Sequence, residues 1–414
     1  MISASFVFFF ISTISVVLWV ICRKRVFDIL SIYCAFLFLF SISSVFGLVY
    51  DPFFHVYKRV DSSVWIAHGI SFSSLGILIL CKDYFAVRRC PIPVLSSSLP
   101  GALFLILCLL LSTSILVTKA PGMISARSKV EMLETAGIEM VLLSSLLPVA
   151  FAFALATRRY VFAAVALSII VFLFVVGTRR PLVLAVLVWC AVLYFGKTIA
   201  LISKWKAISI GVVFSVLVMA GKTFYGAVMA GGLAAVPTWL DDFDLATLMK
   251  GAEFLNTSAI LQEVIVTDFN IPWWVPLVGL LSFLPVPLSQ YGLSSSLFND
   301  LFQPELFPSI KYGMAYNPWA EAFSAWGWVG ILVYSIFLPA IMLAFEGVYH
   351  RYRQSPVGAI FLVMSLLGAF WVHRNSIGSI FAYFRNAFYP GFIIYFISLL
   401  LFALCALFMG RKFR

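Results

Sequence analysis

Arg179, Arg180, Arg374 and Arg385 are the residues whose type and position point most directly to chemistry. Arg179 and Arg180 sit in Gly177-Thr178-Arg179-Arg180-Pro181 between two apolar runs, and Arg374 and Arg385 flank the turn region before the last apolar run. Arginine at the centre of a membrane span costs up to roughly 3 kcal/mol, and where it persists near a span it commonly marks a ligand or a charge pathway. Guanidinium is planar, keeps its proton, and presents a fork that matches two phosphate oxygens at once. Four such groups at one surface of a membrane bundle suit a lipid-linked pyrophosphate. Pro181 is expected to open a helix, which leaves Thr178 to Arg180 at a helix N-terminus, where the dipole attracts an anion. On a continuous helix Arg374 and Arg385 are about three turns apart and share a face, and Gly378 between them permits a bend. The competing reading is that each arginine snorkels to lipid headgroups or pairs with a nearby acid.

A carboxylate beside such a site can serve as general base toward a hydroxyl. Glu321, Glu253 and Glu139 are the candidates. Glu321 leads because it lies in Asn317-Pro318-Trp319-Ala320-Glu321, just before a span. An acid that complements a helix dipole explains Glu321 equally well, and pairing with an arginine explains Glu139. His373 adjoins Arg374 and is placed to hold or protonate a phosphate oxygen. His68 falls inside a span and reads as a hydrogen-bonded packing residue, whereas His55 and His350 read as loop residues. Asp241, Asp242 and Asp244 resemble a metal cluster, but acidic triplets are mostly solvated, so no metal is expected and no cofactor is implied. The seven cysteines form neither a metal-like pair nor a disulfide framework, and read as small buried apolar residues.

The elements that must position these residues follow from composition. Of 414 residues, 63% are apolar and only 11% charged, against about 25% charged in soluble domains. A bilayer absorbs that surplus and a soluble core does not. The net charge of +11 does not indicate nucleic acid, because the basic residues sit at the ends of apolar runs and not in a patch. Eleven runs approach the length of about 20 residues that a spanning helix needs: 3–22, 29–49, 64–81, 101–117, 138–156, 161–176, 182–195, 207–220, 328–345, 357–372 and 391–408. Runs this long exclude the alternating pattern of a barrel. The first lacks a basic n-region and is read as a retained span. The sequence therefore predicts an all-α, polytopic integral membrane protein of about eleven transmembrane helices, forming a single membrane domain over 1–414.

Orientation follows the lysines and arginines. With Arg23, Lys24 and Arg25 inside, alternating loops place 16 basic residues on the inner side, among them Lys82, Lys204 and Arg353, against the three acids Asp28, Asp83 and Glu346. The four arginines then stand on the disfavoured outer side, with the N-terminus outside and the C-terminus inside. The longest connection, 221–327, also faces outward. Within it 271–287 is apolar but broken by prolines, so it is expected to lie in the interface or to dip in and return, with a plain packed loop as the alternative.

Three segments together resemble bacterial O-antigen polymerases, also called oligosaccharide repeat-unit polymerases. Val175-Val176-Gly177-Thr178-Arg179-Arg180-Pro181 is similar to the family's glycine-small-arginine turn. Ala320-Glu321-Ala322-Phe323, with Trp326-Gly327-Trp328-Val329-Gly330, is similar to its acid and glycine pattern entering a late span. Arg374-Asn375-Ser376-Ile377-Gly378, followed by Phe384-Arg385, is similar to its arginine segment before the last span. The resemblance implies a multi-pass protein of the bacterial inner membrane. It would move a growing glycan from undecaprenyl pyrophosphate onto the next lipid-linked repeat unit, on the extracytoplasmic face. Arg179, Arg180, Arg374 and Arg385 would bind the pyrophosphate, and Glu321 or His373 would handle the acceptor hydroxyl. The implied partners are undecaprenyl-pyrophosphate-linked oligosaccharides and membrane lipids, with a chain-length regulator as candidate protein partner and no nucleic acid. Two alternatives share the layout: an O-antigen ligase that transfers glycan to the lipid A core, and a polysaccharide or lipid transporter.

Overall fold

The computed structural model describes residues 3–23, 27–51, 56–84, 98–125, 129–195, 203–206, 208–209, 232–241, 254–286, 293–294, 297–308 and 316–408, with single residues at 220, 227 and 290. Helices dominate: α1 (Ala4–Cys22), α2 (Ile29–Val45), α3 (Ser62–Tyr84), α4 (Ser98–Ser125), α5 (Lys129–Ala156), α6 (Tyr160–Val175) and α7 (Arg180–Tyr194) fill the first half. Then follow α8 (Val236–Asp241), α9 (Phe254–Val266), α10 (Val275–Leu281), α11 (Leu297–Leu306), α12 (Pro318–Arg351), α13 (Pro356–Trp371) and α14 (Ile377–Phe408). Seven of these are long and apolar enough to cross a membrane: α1, α3, α4, α5, α12, α13 and α14. Three further expected spans appear as the shorter apolar helices α2, α6 and α7. The expected span at 207–220 lies almost wholly outside the described residues. A small antiparallel hairpin, β1 (Leu48–Asp51) with β2 (Val56–Arg59), joins α2 to α3, an element that the all-helical expectation lacked.

Several helices start where the sequence supplies caps. The Ser3 hydroxyl accepts from the Phe6 amide, the Asp28 carboxylate from that of Ser31, and the Ser355 hydroxyl from that of Val357 just ahead of α13. Asp28 also anchors an ion-pair network that ties four elements at one end of the bundle. Arg23, after α1, reaches Asp28 at 3.0 Å and Asp83 at 2.5 Å. Lys82, in the last turn of α3, reaches Asp28 at 3.1 Å and Glu346 of α12 at 2.6 Å. Burial works against the Asp28 charge, but Lys82 and Arg23 hold its carboxyl below the usual carboxylate range. Lys204 donates to the Ile21 and Arg23 carbonyls at the same end. The basic and acidic residues that the charge bias assigned to one side and that lie in this network thus do meet at one end.

The opposite end is reached along α7. Arg353, two residues past α12, donates to the Val192 carbonyl, so the C-terminal end of α7 lies at the ion-pair end. Its 15 residues put Arg180 about 20 Å away.

Two departures from the expected layout shape that far end. Within the connection expected to be a long loop, α9 is a buried helix: Thr257, Ser258, Ile260, Leu261 and Val264 are inaccessible, and Ser258 bonds the Ser43 hydroxyl of α2. Gln262 accepts from the Asp61 amide and donates to the Arg59 carbonyl, which fastens the β-hairpin to this helix. The second departure is in α12, which is two helices and not one. Gly327 takes φ 59° and ψ −145°, a conformation that only glycine adopts without strain. There the 318–326 helix turns back along 328–335. The Trp319 indole N–H reaches the Ser335 hydroxyl at 3.1 Å, whereas a straight helix would separate these residues by about 24 Å. The proline-broken segment 271–286 packs on this re-entrant helix and on the start of α14. The Ile271 amide donates to the Ser324 carbonyl, and the Trp326 indole donates to the Trp273 carbonyl. Gly279 lies so close to Ile377 and Gly378 that no side chain fits between them. Trp273 remains 64% exposed on the outer surface of the segment.

Candidate functional site

Arg179 and Arg180 are placed as the sequence led one to expect. The chain leaves α6 at Val175, turns at Gly177 (φ 94°), and enters α7 with Arg179 as the preceding cap residue and Pro181 in the first turn. The half-buried Arg180 lays its guanidinium carbon 4.3 Å from the Tyr383 ring centroid. Arg374, also half-buried, stacks on Trp371 at 4.5 Å and lies within electrostatic reach of both Arg179 and Tyr383. Arg180 and Arg374 therefore approach one tyrosine, and Arg179 lies within electrostatic reach of Arg374, although almost half of the chain separates Arg180 from Arg374.

Arg385 is not brought to them by the route expected. The premise was one continuous helix from Arg374 to Arg385. Instead Val372–Arg374 is a single 3₁₀ turn, Asn375 and Ser376 are non-helical, and α14 begins at Ile377. Counted on α14, Tyr383 and Arg385 point to opposite sides, since two residues turn a helix by about 200°. Tyr383 takes the arginine-facing position, and Arg385 bonds its neighbour Asn386 at 3.4 Å.

The break before α14 is held by Glu321. Its carboxylate accepts the Ile377 amide at 2.8 Å and is 2% exposed. The acid does complement a helix N-terminus, as the simpler expectation had it, but the hydrogen bond is to α14 and not within its own helix. Asn317 caps the 318–326 helix through the Trp319 and Ala320 amides and donates to the Thr257 carbonyl of α9. The Arg374 carbonyl accepts from the Tyr316 amide, so the arginine segment and the re-entrant helix are joined twice.

His373 adjoins Arg374 in sequence but faces elsewhere. Its ring is fully buried, stacked on Trp319 at 5.6 Å and Phe40 at 5.8 Å, with Tyr33 edge-on at 4.6 Å. In this conformation it is closed off from solvent and does not present a nitrogen to an anion at the surface. Neither ring nitrogen meets a partner in hydrogen-bonding geometry, although the Ala369 carbonyl lies close by. His68 packs against Phe9 and Trp319 as expected of a core residue, yet it makes no hydrogen bond among the described residues. His350 is helical, in the last turn of α12 and 3.6 Å from Glu346, and is not a loop residue. Glu139 pairs with Lys119 at 3.3 Å, not with an arginine. Cys34 and Cys108 are buried, but Cys22, Cys81 and Cys405 lie on the outer surface of the bundle. Glu253, Asp242, Asp244, His55 and Cys90 lie outside the described residues.

Trp319, Trp371 and Tyr383 escaped the sequence reading. Their signal was present as aromatic residues within three positions of Glu321, Arg374 and Arg385, but 17% of the chain is aromatic and this masks it. The chain matches no protein-family model, no curated protein and no solved structure.

Proposed function

We propose that the protein polymerises oligosaccharide repeat units carried on undecaprenyl pyrophosphate, at the extracytoplasmic face of a bacterial inner membrane. The observation that carries this reading is the approach of Arg180 and Arg374 to Tyr383, with Arg179 within electrostatic reach of Arg374, at the end of the bundle away from the ion-pair network. Arg180 and Arg374, each laid against an aromatic ring, form with the nearby Arg179 a preorganised cation site, and such sites act where negative charge develops. In the reaction the acceptor hydroxyl oxygen attacks the anomeric carbon of the donor glycan. The bond from that carbon to the pyrophosphate breaks, and the arginines stabilise the departing lipid pyrophosphate. The hydroxyl proton passes to Glu321, with His373 as the alternative acceptor. Both are closed off in the structure, so a hydroxyl reaches them only when the 318–326 helix shifts. No nucleotide or metal takes part in this scheme.

Deleting the gene tests the reading by its products. Loss of a polymerase leaves surface glycans capped at a single repeat unit. Surface lipid A bearing no glycan at all would indicate a ligase, and lipid-linked units trapped on the cytoplasmic face would indicate a transporter. Sidedness is tested independently by single cysteines at positions 179 and 374, which an impermeant maleimide must label from the extracytoplasmic side.

A further inference from the structure

The interior around Trp319 holds polar atoms that the arginine site does not touch. His68 of α3 and His373 flank the Trp319 ring, at centroid distances of 6.4 Å and 5.6 Å. The indole N–H bonds Ser335, whose hydroxyl meets that of Ser71 at 2.9 Å. Tyr33 of α2 packs edge-on against His373, and the Tyr334 hydroxyl is within electrostatic reach of Glu321. His68, His373, Tyr33 and Tyr334 are each at most 2% exposed. Among the described residues, neither nitrogen of either histidine nor the hydroxyl of either tyrosine meets a hydrogen-bond partner in good geometry.

An unmet buried polar group costs about 1–3 kcal/mol, so these atoms in one neighbourhood are a penalty that ring packing alone does not explain, even with the Ala369 carbonyl close to the His373 ring. Ordered water is the ordinary partner of such groups. The neighbourhood is also bounded by acids. Glu321 lies at one side. Toward the other, Tyr33 is five residues along α2 from Asp28, about 7 Å of helix rise and about 140° around the helix, a gap that water must bridge, and Asp28 is bound to Lys82 and through it to Glu346. Intramembrane rows of acids and histidines are the usual material of proton relays, and a tyrosine hydroxyl, both donor and acceptor, can join such a row.

We propose that the interior around Trp319 is hydrated and conducts protons, with His373, His68 and Tyr33 relaying them between Glu321 and the Asp28–Lys82–Glu346 network. An imidazole that takes a proton on one nitrogen releases one from the other, so each histidine passes a proton without net change. The Tyr33 hydroxyl accepts a proton from water on one side and gives its own to water on the other. The charged and titratable groups facing this path are few. Tyr334 stands beside Glu321, Arg374 follows His373 in the chain, and Arg23 and Cys34 lie beside Asp28. Tyr349, His350 and Lys82 surround Glu346. The relay is independent of which anion the arginines hold.

The test uses the purified full chain in vesicles of phosphatidylethanolamine and phosphatidylglycerol, loaded with a pH-sensitive dye, with a potassium diffusion potential driving protons inward. The wild-type protein is expected to acidify the lumen faster than protein-free vesicles do. Tyr33→Phe, which removes one oxygen and no packing, is expected to lose that flux, and so is His68→Gln. Tyr33→Phe covers the case in which His68→Gln fails to fold. A wild-type rate equal to that of empty vesicles overturns the proposal, and so does undiminished flux in a folded Tyr33→Phe protein.

Discussion

Arg374→Ala separates the two roles a half-buried arginine can have. Its structural contribution is small. The stack on Trp371 at 4.5 Å is worth about 0.5–2 kcal/mol for a partly buried pair, and removing the charge also relieves the repulsion with Arg179. The two effects oppose each other, so the alanine variant should melt within a few degrees of wild type in detergent and reach the membrane in equal amounts. The chemical contribution is large if the group stabilises a leaving pyrophosphate. Deleting one preorganised donor from a charge-stabilising site costs roughly 100- to 1,000-fold in rate. Arg374→Lys keeps the charge and loses the fork. The missing charged hydrogen bond, about 1.5–3 kcal/mol, corresponds to roughly ten- to a hundredfold. The assay is elongation of lipid-linked repeat units by the protein in vesicles, read as initial rate and as product length. An alanine variant that elongates at the wild-type rate refutes the pyrophosphate assignment. One that loses its fold instead shows that Arg374 holds the bundle together by more than its stack on Trp371.

Glu321→Gln keeps an oxygen for the Ile377 amide while removing the proton acceptor. The folded variant is expected to lose most elongation activity, and full activity with normal stability would reduce Glu321 to a helix cap. Glu346→Ala leaves Lys82 in the ion-pair network without one of its two carboxylates. Breaking a buried pair costs about 3–5 kcal/mol, and the partial exposure of Lys82 puts this one at the low end, to be read as a lowered melting temperature and lower membrane abundance. Gly327→Ala meets open space at its methyl group, so the cost comes from the backbone alone. About 1–3 kcal/mol is expected, with faster hydrogen exchange of the 318–326 helix as the readout.

Helix positions were legible because the apolar runs are long and caps such as Ser3, Asp28 and Ser355 mark their starts. The arginine turn was legible for the same reason: glycine, two arginines and proline in that order fix where α6 ends and α7 begins. Two things were not. The 318–326 helix reads as the entrance to a span, since its apolar residues are continuous with those after Gly327, and a single glycine with positive φ carries no mark of its own in the sequence. The partner of the arginines was also hidden. Counting a helix from Arg374 selects Arg385, whereas the break at Asn375 and Ser376 resets the phase and selects Tyr383.

That break links the acid to the arginines more closely than either motif suggests alone. Were α13 to run on into α14 without interruption, the Ile377 amide would be spent within the helix and Glu321 would have no donor. Because the chain is interrupted, the amide is free, Glu321 takes it, and the Arg374 carbonyl is free to accept from Tyr316. On the 3₁₀ turn just ahead of the interruption, Arg374 stacks on Trp371 three residues before it and lies within electrostatic reach of Arg179. Glu321 thus acts on the arginine site through the backbone, whatever it does with a proton, and its position depends in turn on the fold-back at Gly327. A displacement of the re-entrant helix would therefore disturb the acid, the start of α14 and the arginine cluster together. Glu321 and Arg374 meet at this junction and Arg179 lies within electrostatic reach of Arg374, whereas Arg385 turns to the other side of α14.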